Sequence, residues 1–436
     1  MITRIHRAVP VALFALAVGT AQAGPYSLAT GDASNSYDAP VPGFVGPDGD
    51  GAARLDNGDG TFSNPDNRVN PLFFGWAAKV TDYSPAPGVA TQWQNSSLAL
   101  GPVTGDNAGV VSLGDLSAKQ ISNGVSPGRI TVSFVAPIKN LSGADFVVFE
   151  NGFASAGGAG VAGQIIADLG YVEVSSNGSD FARFPSRSLT PALVGPYGTI
   201  DPTNVFNLAG KHANAYGQSW GTPFDLSQLA TDPLVKGGQV DLNAIRYVRI
   251  VDIPGNGSFT DSQGSPIYDA WETIGSGGFD LEAIGAISQT TTYAAWAAAH
   301  NLPAASENLD TDGDGLPNLL EYAFSRDPTT ADNTTPPTEV GLSGGRLKIT
   351  FQRDERAADL TFEVQASNDL ASWATIARSQ GGQAVTGGNG FAPEILETSA
   401  SPIASVGILR KVEVKDVVDL TAKSKRFLRV KVTESP

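Results

Sequence analysis

Apolar and polar residues alternate with period two over residues 129–135 (Arg-Ile-Thr-Val-Ser-Phe-Val) and 171–175 (Tyr-Val-Glu-Val-Ser), the pattern of a half-buried strand. Residues 145–149 (Asp-Phe-Val-Val-Phe) are apolar on both faces and predict a strand covered on both sides. The 171–175 run passes through Asn177-Gly178 into 181–184, a hairpin signature, and two further strands are expected over 245–253 and 278–287. Residues 24–102 are turn-rich, yet Phe73, Phe74, Trp76, Tyr83 and Trp93 need cover, so this stretch is expected to pack onto the strands that follow. After residue 288 the period changes. Residues 293–300 are Ala-rich and helical, 319–324 predict a second short helix, and Asp327-Pro328 stops it. A Thr/Pro-rich linker at 329–338 leads into another β segment from about 340 to 432. Three units follow: 24–288, 289–333 and 334–436. A strand with a Ser-Asn turn recurs in both β units, at 172–178 and 362–368.

Composition supports this picture: 50 Gly, 28 Pro and only 17% charged residues suit many short strands joined by tight turns. The first residues read as a secretory signal, with basic Arg4 and Arg7, an apolar run over 9–18, and Ala21-Gln22-Ala23 as a cleavage site before Gly24. The expectation is an exported protein with no transmembrane anchor in the mature chain. No cysteine is present, so the fold must hold without disulfides. A net charge of −16 argues against nucleic acid as a partner.

The strongest chemical signal is Asp310-Thr-Asp312-Gly-Asp314-Gly315-Leu316-Pro317-Asn318-Leu-Leu-Glu321. It fits a twelve-residue calcium loop, with carboxylates at positions one, three and five, Gly at six, a carbonyl at seven (Leu316), Asn at nine and Glu at twelve. Calcium needs six to eight oxygens, and a loop that wraps back on itself supplies them from few residues. Pro317 at position eight has no N–H for the β bridge of paired calcium hands, so a single structural loop is expected, with Ca2+ as the cofactor. The expected fold class is therefore mainly β, with a short helical calcium-loop connector and a smaller C-terminal β-sandwich. Tyr247-Val-Arg-Ile250 and 172–178 resemble galactose-binding-like jelly rolls, which implies a jelly-roll-like β-sandwich for the large unit.

A second group of acids is oddly placed. Glu150 and Asp252 each end an apolar strand face, and Asp280 and Glu282 share a strand at period two. If those ends meet, Glu150, Asp252, Asp280 and Glu282 form a candidate second metal site, joined by Asp261 or Asp269. An alternative uses the same carboxylates as acid and base of a secreted carbohydrate-active hydrolase. Against it, only His212 and His300 remain beyond the signal, and no Gly-x-Ser-x-Gly elbow or zinc-binding His pair occurs. The preferred reading is a non-catalytic binding, adhesion or structural module. Its partner would be an extracellular polysaccharide or another surface protein, with Trp76, Trp93, Trp220 and Trp271 as candidate sugar-stacking groups.

Residues 289–330 resemble the calcium loops of dockerins and thrombospondin type-3-like repeats, which implies a rigid calcium-stabilised connector. The larger unit, over about 70–287, resembles a family of uncharacterised bacterial secreted or cell-surface proteins often seen with a PEP-CTERM sorting tail. The resemblance is carried by Asn70-Pro-Leu-Phe-Phe-Gly-Trp76, Ala144-Asp-Phe-Val-Val-Phe-Glu-Asn-Gly152, Tyr171-Val-Glu-Val-Ser-Ser-Asn-Gly178 and Ser276-Gly-Gly-Phe-Asp-Leu-Glu-Ala-Ile-Gly285, among others. It implies export and a β-sandwich, with no activity to carry over. The C-terminal unit is similar to β modules of secreted bacterial proteins through Phe362-Glu-Val-Gln-Ala-Ser-Asn368 and Arg426-Phe-Leu-Arg-Val430.

Overall fold

A computed structural model of the chain describes residues 26, 38–47, 51–154, 163–303, 305–332, 334–422 and 425–434; the expected signal segment lies outside them. The alternating stretches form strands, and the strands pair antiparallel. One six-stranded sheet runs Val41–Pro42, Trp220–Phe224, Phe146–Glu150, Asp280–Ala286, Gly75–Trp76, with Val111–Ser112 paired to the start of Asp280–Ala286. A five-stranded sheet runs Ala182–Arg183, Gly170–Ser175, Ile245–Asp252, Arg129–Ile138, Lys79–Ser84. The two sheets share one core, in which Phe146, Val148 and Ile284 from the first join Val132, Val172 and Ile250 from the second.

The first sheet is covered on its other face too. There Val147, Phe149 and Ile287 pack with Val41, Phe73 and Val103, and with Val406 and Ile408 from the C-terminal region. This double cover accounts for the continuous apolar run of Phe146–Glu150, which is buried along its whole length. It also shows what the turn-rich stretch before residue 102 does: Phe73 lies edge-on to Phe149 at 5.7 Å and against Trp76 at 4.7 Å.

Beyond residue 338 two separate four-stranded sheets form, one with Arg346–Asp354 and Leu409–Asp419 at its centre, the other with Ala374–Gln380 and Leu360–Ser367. The helices Tyr293–Ala299 and Asn318–Phe324 give Tyr293, Trp296, Tyr322 and Phe324 to the same core as Phe351, Phe362 and Val412. The helical segment therefore packs as part of the C-terminal core. Two other α-helices, Ala118–Ser122 and Pro233–Lys236, are shorter still, and among the described residues no helix is long and apolar enough to cross a membrane. The large and C-terminal regions interlock through Ala144 N to Ser405 O (2.8 Å), Gly407 N to Ser142 O (3.0 Å) and Arg356 Nη1 to Leu72 O (3.0 Å).

The recurring Ser-Asn turn proves to be one hydrogen-bonding device used twice. Ser175 Oγ accepts from Asn177 N and Gly178 N, and Ser367 Oγ accepts from Asp369 N and Leu370 N. Asn177 Oδ1 then accepts from the amides of Ser179 and Asp180, as Asp369 Oδ1 does from Ala371 and Ser372. Six residues past each serine sits an aromatic ring under an arginine of the neighbouring strand, Arg249 over Phe181 at 3.4 Å and Arg429 over Trp373 at 4.0 Å.

Phe146 is 0% exposed and stacks on Phe224 at 5.4 Å. Phe146→Ala is expected to cost about 3–5 kcal/mol in denaturant unfolding, the usual range for a large ring lost from a packed core. A loss below about 1 kcal/mol would contradict the shared core.

Candidate metal centres

The 310–321 segment closes on itself as its spacing requires. Asp310 accepts from Gly313 N and Gly315 N (both 2.9 Å), Asp312 from Asp314 N (3.1 Å) and Asp314 from Leu316 N (2.8 Å). Gly313 and Gly315 take φ of +79° and +97°, values that a side chain would oppose. Oxygens of Asp310, Asp312 and Asp314 lie within 4.8 Å of one another, a group that could hold a metal ion. Two further residues point the same way. Glu321 is 0% exposed and neither of its carboxylate oxygens has a hydrogen-bond partner. Asn318, equally buried, gives its Nδ2 to Ser306 O at 3.1 Å and leaves Oδ1 unpartnered. Burial, then Asp312, Asp314, Asp332 and Asp310, push Glu321 up to about 7.

The loop is wired into the C-terminal core. Asn318 leads to Ser306, whose Oγ lies 2.8 Å from Tyr293 Oη. Asp359 in turn accepts from Tyr293 N (2.6 Å) and from Tyr322 Oη (3.0 Å). Asp332 is an acid that the twelve-residue spacing misses. It gives its amide to Asp314 Oδ2 at 3.3 Å and pairs with Arg326, and no sequence signal ties it to the loop.

Of the second group, Glu150 and Asp252 both lie near enough to Asp280 to feel its charge, though no three of these acids bring their oxygens within 4.8 Å of one another as the loop triad does, and Glu282 stands apart. The register of Phe146–Glu150 on Asp280–Ala286 shifts by one between Phe149 and Glu150, so Glu150 faces Leu281, and period-two reasoning fails at that bulge. Glu282 Oε1 is taken by Thr104 N (2.6 Å), Thr104 Oγ1 (2.8 Å) and Gly105 N (2.7 Å). Asp261 is likewise occupied, by Arg187 and by the amides of Ser188, Gln263 and Ser265. Asp269 does join, and so do two acids that the sequence did not single out: Asp168, just before Gly170–Ser175, and Asp115, just after Val111–Ser112.

Burial is the main force on all six. It holds Glu150, Asp168, Asp252 and Asp269 well above the usual carboxylate range and pushes Asp115 and Asp280 up to about 7. Mutual repulsion adds to it: Asp280 acts on Glu150, Asp115 on Asp252, Asp252 on Asp269, while Asp168 feels Asp269, Glu150, Asp280 and Asp252.

His212 is buried and held neutral, its Nε2 3.1 Å from Asp38 O, beside the fully buried ion pair Lys211–Asp38. Trp76, Trp93, Trp220 and Trp271 are all half-buried; Trp271 Nε1 donates to Leu116 O at 2.9 Å. Among the described residues the large exposed aromatics are instead Tyr197 and Tyr216, each 79% exposed, and Phe74 at 37%. Comparison with protein families and with curated proteins finds no match for this chain.

These pKa directions set a pH dependence for the chelated protein. Glu321, Asp115 and Asp280 titrate near 7 when folded and near 4 when unfolded, so the folded state binds the extra protons between those values. Stability is then fully present below the unfolded values and is lost as pH rises through about 7. In excess chelator the calorimetric melting temperature should fall between pH 5 and pH 8; a flat or rising profile would contradict the assignment.

Proposed function

We propose that the protein is an exported, calcium-stabilised protein of the bacterial surface or its surroundings, acting by binding, adhesion or structural support and not by catalysis. The carrying observation is Glu321, a fully buried carboxylate with two unpartnered oxygens, set against Asp310, Asp312 and Asp314 at loop spacing. Asp310, Asp312, Asp314, Asn318 and Glu321 would ligate through side chains and Leu316 through its carbonyl, an all-oxygen set that suits Ca2+. Export rests on the signal-like residues 1–23 and on the resemblance of 70–287 to secreted surface proteins. The core common to the two sheets of the large region supports the β-sandwich reading, of which the jelly roll is the finer version.

The buried acids favour binding over hydrolysis. Glu150, Asp252 and Asp280 are 2%, 1% and 4% exposed, too deep to reach a glycosidic bond in a polymer. If the partner is a polysaccharide, Tyr216 is the better stacking surface, on a groove of about 510 Å³ with Arg54, Phe62 and Asn107.

Asp312→Ala and Glu321→Ala test the loop. At calcium a hundredfold above the loop's Kd, each should lose about 2.7 kcal/mol of the calcium-dependent stabilisation that wild type gains. Equal gains in variant and wild type, read from unfolding curves with and without calcium, would refute the loop as a calcium site.

A further inference from the structure

Outside the 310–321 loop, deeply buried acids elsewhere among the described residues are met by a cation or by backbone amides. Asp38 meets Lys211, Asp354 meets Arg356 at 2.7 Å, Asp416 meets Arg426, and Asp145 accepts from Leu141 N (2.9 Å) and Leu226 N (2.7 Å). The group at the strand ends is different. Among the described residues, no arginine, lysine or histidine forms an ion pair with Asp115, Glu150, Asp168, Asp252, Asp269 or Asp280. Four of these side chains are more than nine-tenths buried, and each keeps an oxygen without any hydrogen-bond partner: Glu150 Oε2, Asp252 Oδ2, Asp269 Oδ1 and Asp280 Oδ1. Asp115 Oδ1 is a fifth. Such atoms are expensive to leave bare.

The oxygens that are satisfied show that the acids are held in place. Asp252 Oδ1 accepts from Phe279 N (2.8 Å), Asp269 Oδ2 from Leu169 N (2.8 Å) and Asp115 Oδ2 from Thr273 N (2.9 Å), so one oxygen of each is anchored while the other is spare. Glycines make room for them. A methyl on Gly255 would sit 1.6 Å from Asp269 Oδ1, and one on Gly278 2.7 Å from Asp252 Oδ1. Beside Gly152, Glu150 Oε2 shares its surroundings with the carbonyls of His212 and Gly210, at 3.1, 3.3 and 3.4 Å from the point a methyl would occupy. The donors are oxygens throughout. The group draws on both sheets of the large region, Glu150 and Asp280 from the ends of the first and Asp252 from the end of the second. Asp168 and Asp115 are only half-buried, and Asp115 opens onto a cavity of about 240 Å³ with Ser117, Glu272 and Thr273, a path for an ion to enter.

We propose that these six carboxylates form a second cation site, independent of the 310–321 loop, that holds at least one calcium ion between the strand ends of the two sheets. Hard divalent ions take carboxylate and carbonyl oxygens, and calcium accepts irregular sets of six to eight at 2.3–2.6 Å, whereas magnesium demands a near-ideal octahedron and keeps its waters. Asp252, Asp269, Asp280 and Glu150 would be the inner ligands, drawn closer by the ion than the oxygens now stand, with Asp168 beside them and Asp115 at the mouth.

The test counts metal in the full-length protein. Wild type and the loop variant Asp312→Ala/Glu321→Gln are equilibrated with calcium after chelation, and bound calcium per chain is measured by plasma mass spectrometry, with the melting temperature read alongside. The proposal expects two or more calcium ions in wild type, one fewer in the loop variant, and a calcium-dependent rise in melting temperature that survives in that variant. Adding Asp252→Asn and Asp280→Asn should remove at least one further ion and abolish that remaining rise. One ion in wild type that disappears in the loop variant would overturn the buried site and leave the loop standing. One ion that persists in the loop variant would do the reverse. Should the Asn variants fail to fold, the wild-type and loop-variant counts decide alone.

Discussion

A carboxylate taken out of water costs several kcal/mol unless a cation or several hydrogen-bond donors replace its hydration, and the folded state of this chain turns on that requirement. Most of its buried acids meet the requirement within the chain, through arginines and lysines such as Arg356 and Lys211, or through backbone amides, as at Asp145. Two places do not. At Glu321 and at the strand-end group around Asp252, buried oxygens face other acids. In a chain without cysteine, metal ions at both places would do what disulfides do in many exported proteins, tying elements distant in sequence.

The two sites would act on different parts of the molecule. The loop sits between helices Tyr293–Ala299 and Asn318–Phe324, whose aromatic faces complete the C-terminal core. Through Asn318, Ser306, Tyr293 and Asp359 its closure bears on how those helices lie against the sheets. The strand-end group instead gathers segments from 115 to 280 and pins one end of the large region. Contacts such as Ser142 with Glu355 and Arg356 with Leu72 join the two regions.

What could be read from the sequence follows the range of the interaction. The Asp310–Asp312–Asp314 cluster that could hold a metal ion was legible because its residues are neighbours in the chain, and so was the hairpin at Asn177-Gly178, whose partners are adjacent too. The strands were legible from their alternation, and Phe146–Glu150 from its double-sided apolar run. The strand-end group was half legible. Glu150, Asp252 and Asp280 stand out as acids ending apolar faces, but Asp168 and Asp115 lie in connecting segments whose position only the assembled sheets determine. Glu282 misled because a bulge breaks period two beside it, and its oxygens go to the 104–105 turn. The tryptophans misled for a simpler reason: a ring in or near a loop can still pack inward, as Trp76 does against Phe73 and Phe149.

The claim that cations balance the buried acids is tested most directly by locating the ions. Anomalous diffraction from crystals of the full-length protein grown with calcium, recorded at a wavelength where calcium scatters anomalously, would place each ion among its ligands. The account predicts one peak enclosed by Asp310, Asp312, Asp314, Leu316 O, Asn318 and Glu321, and at least one more among Glu150, Asp252, Asp269 and Asp280. An anomalous map without a peak at either position, with those carboxylates bonded only to water or to one another, would contradict it.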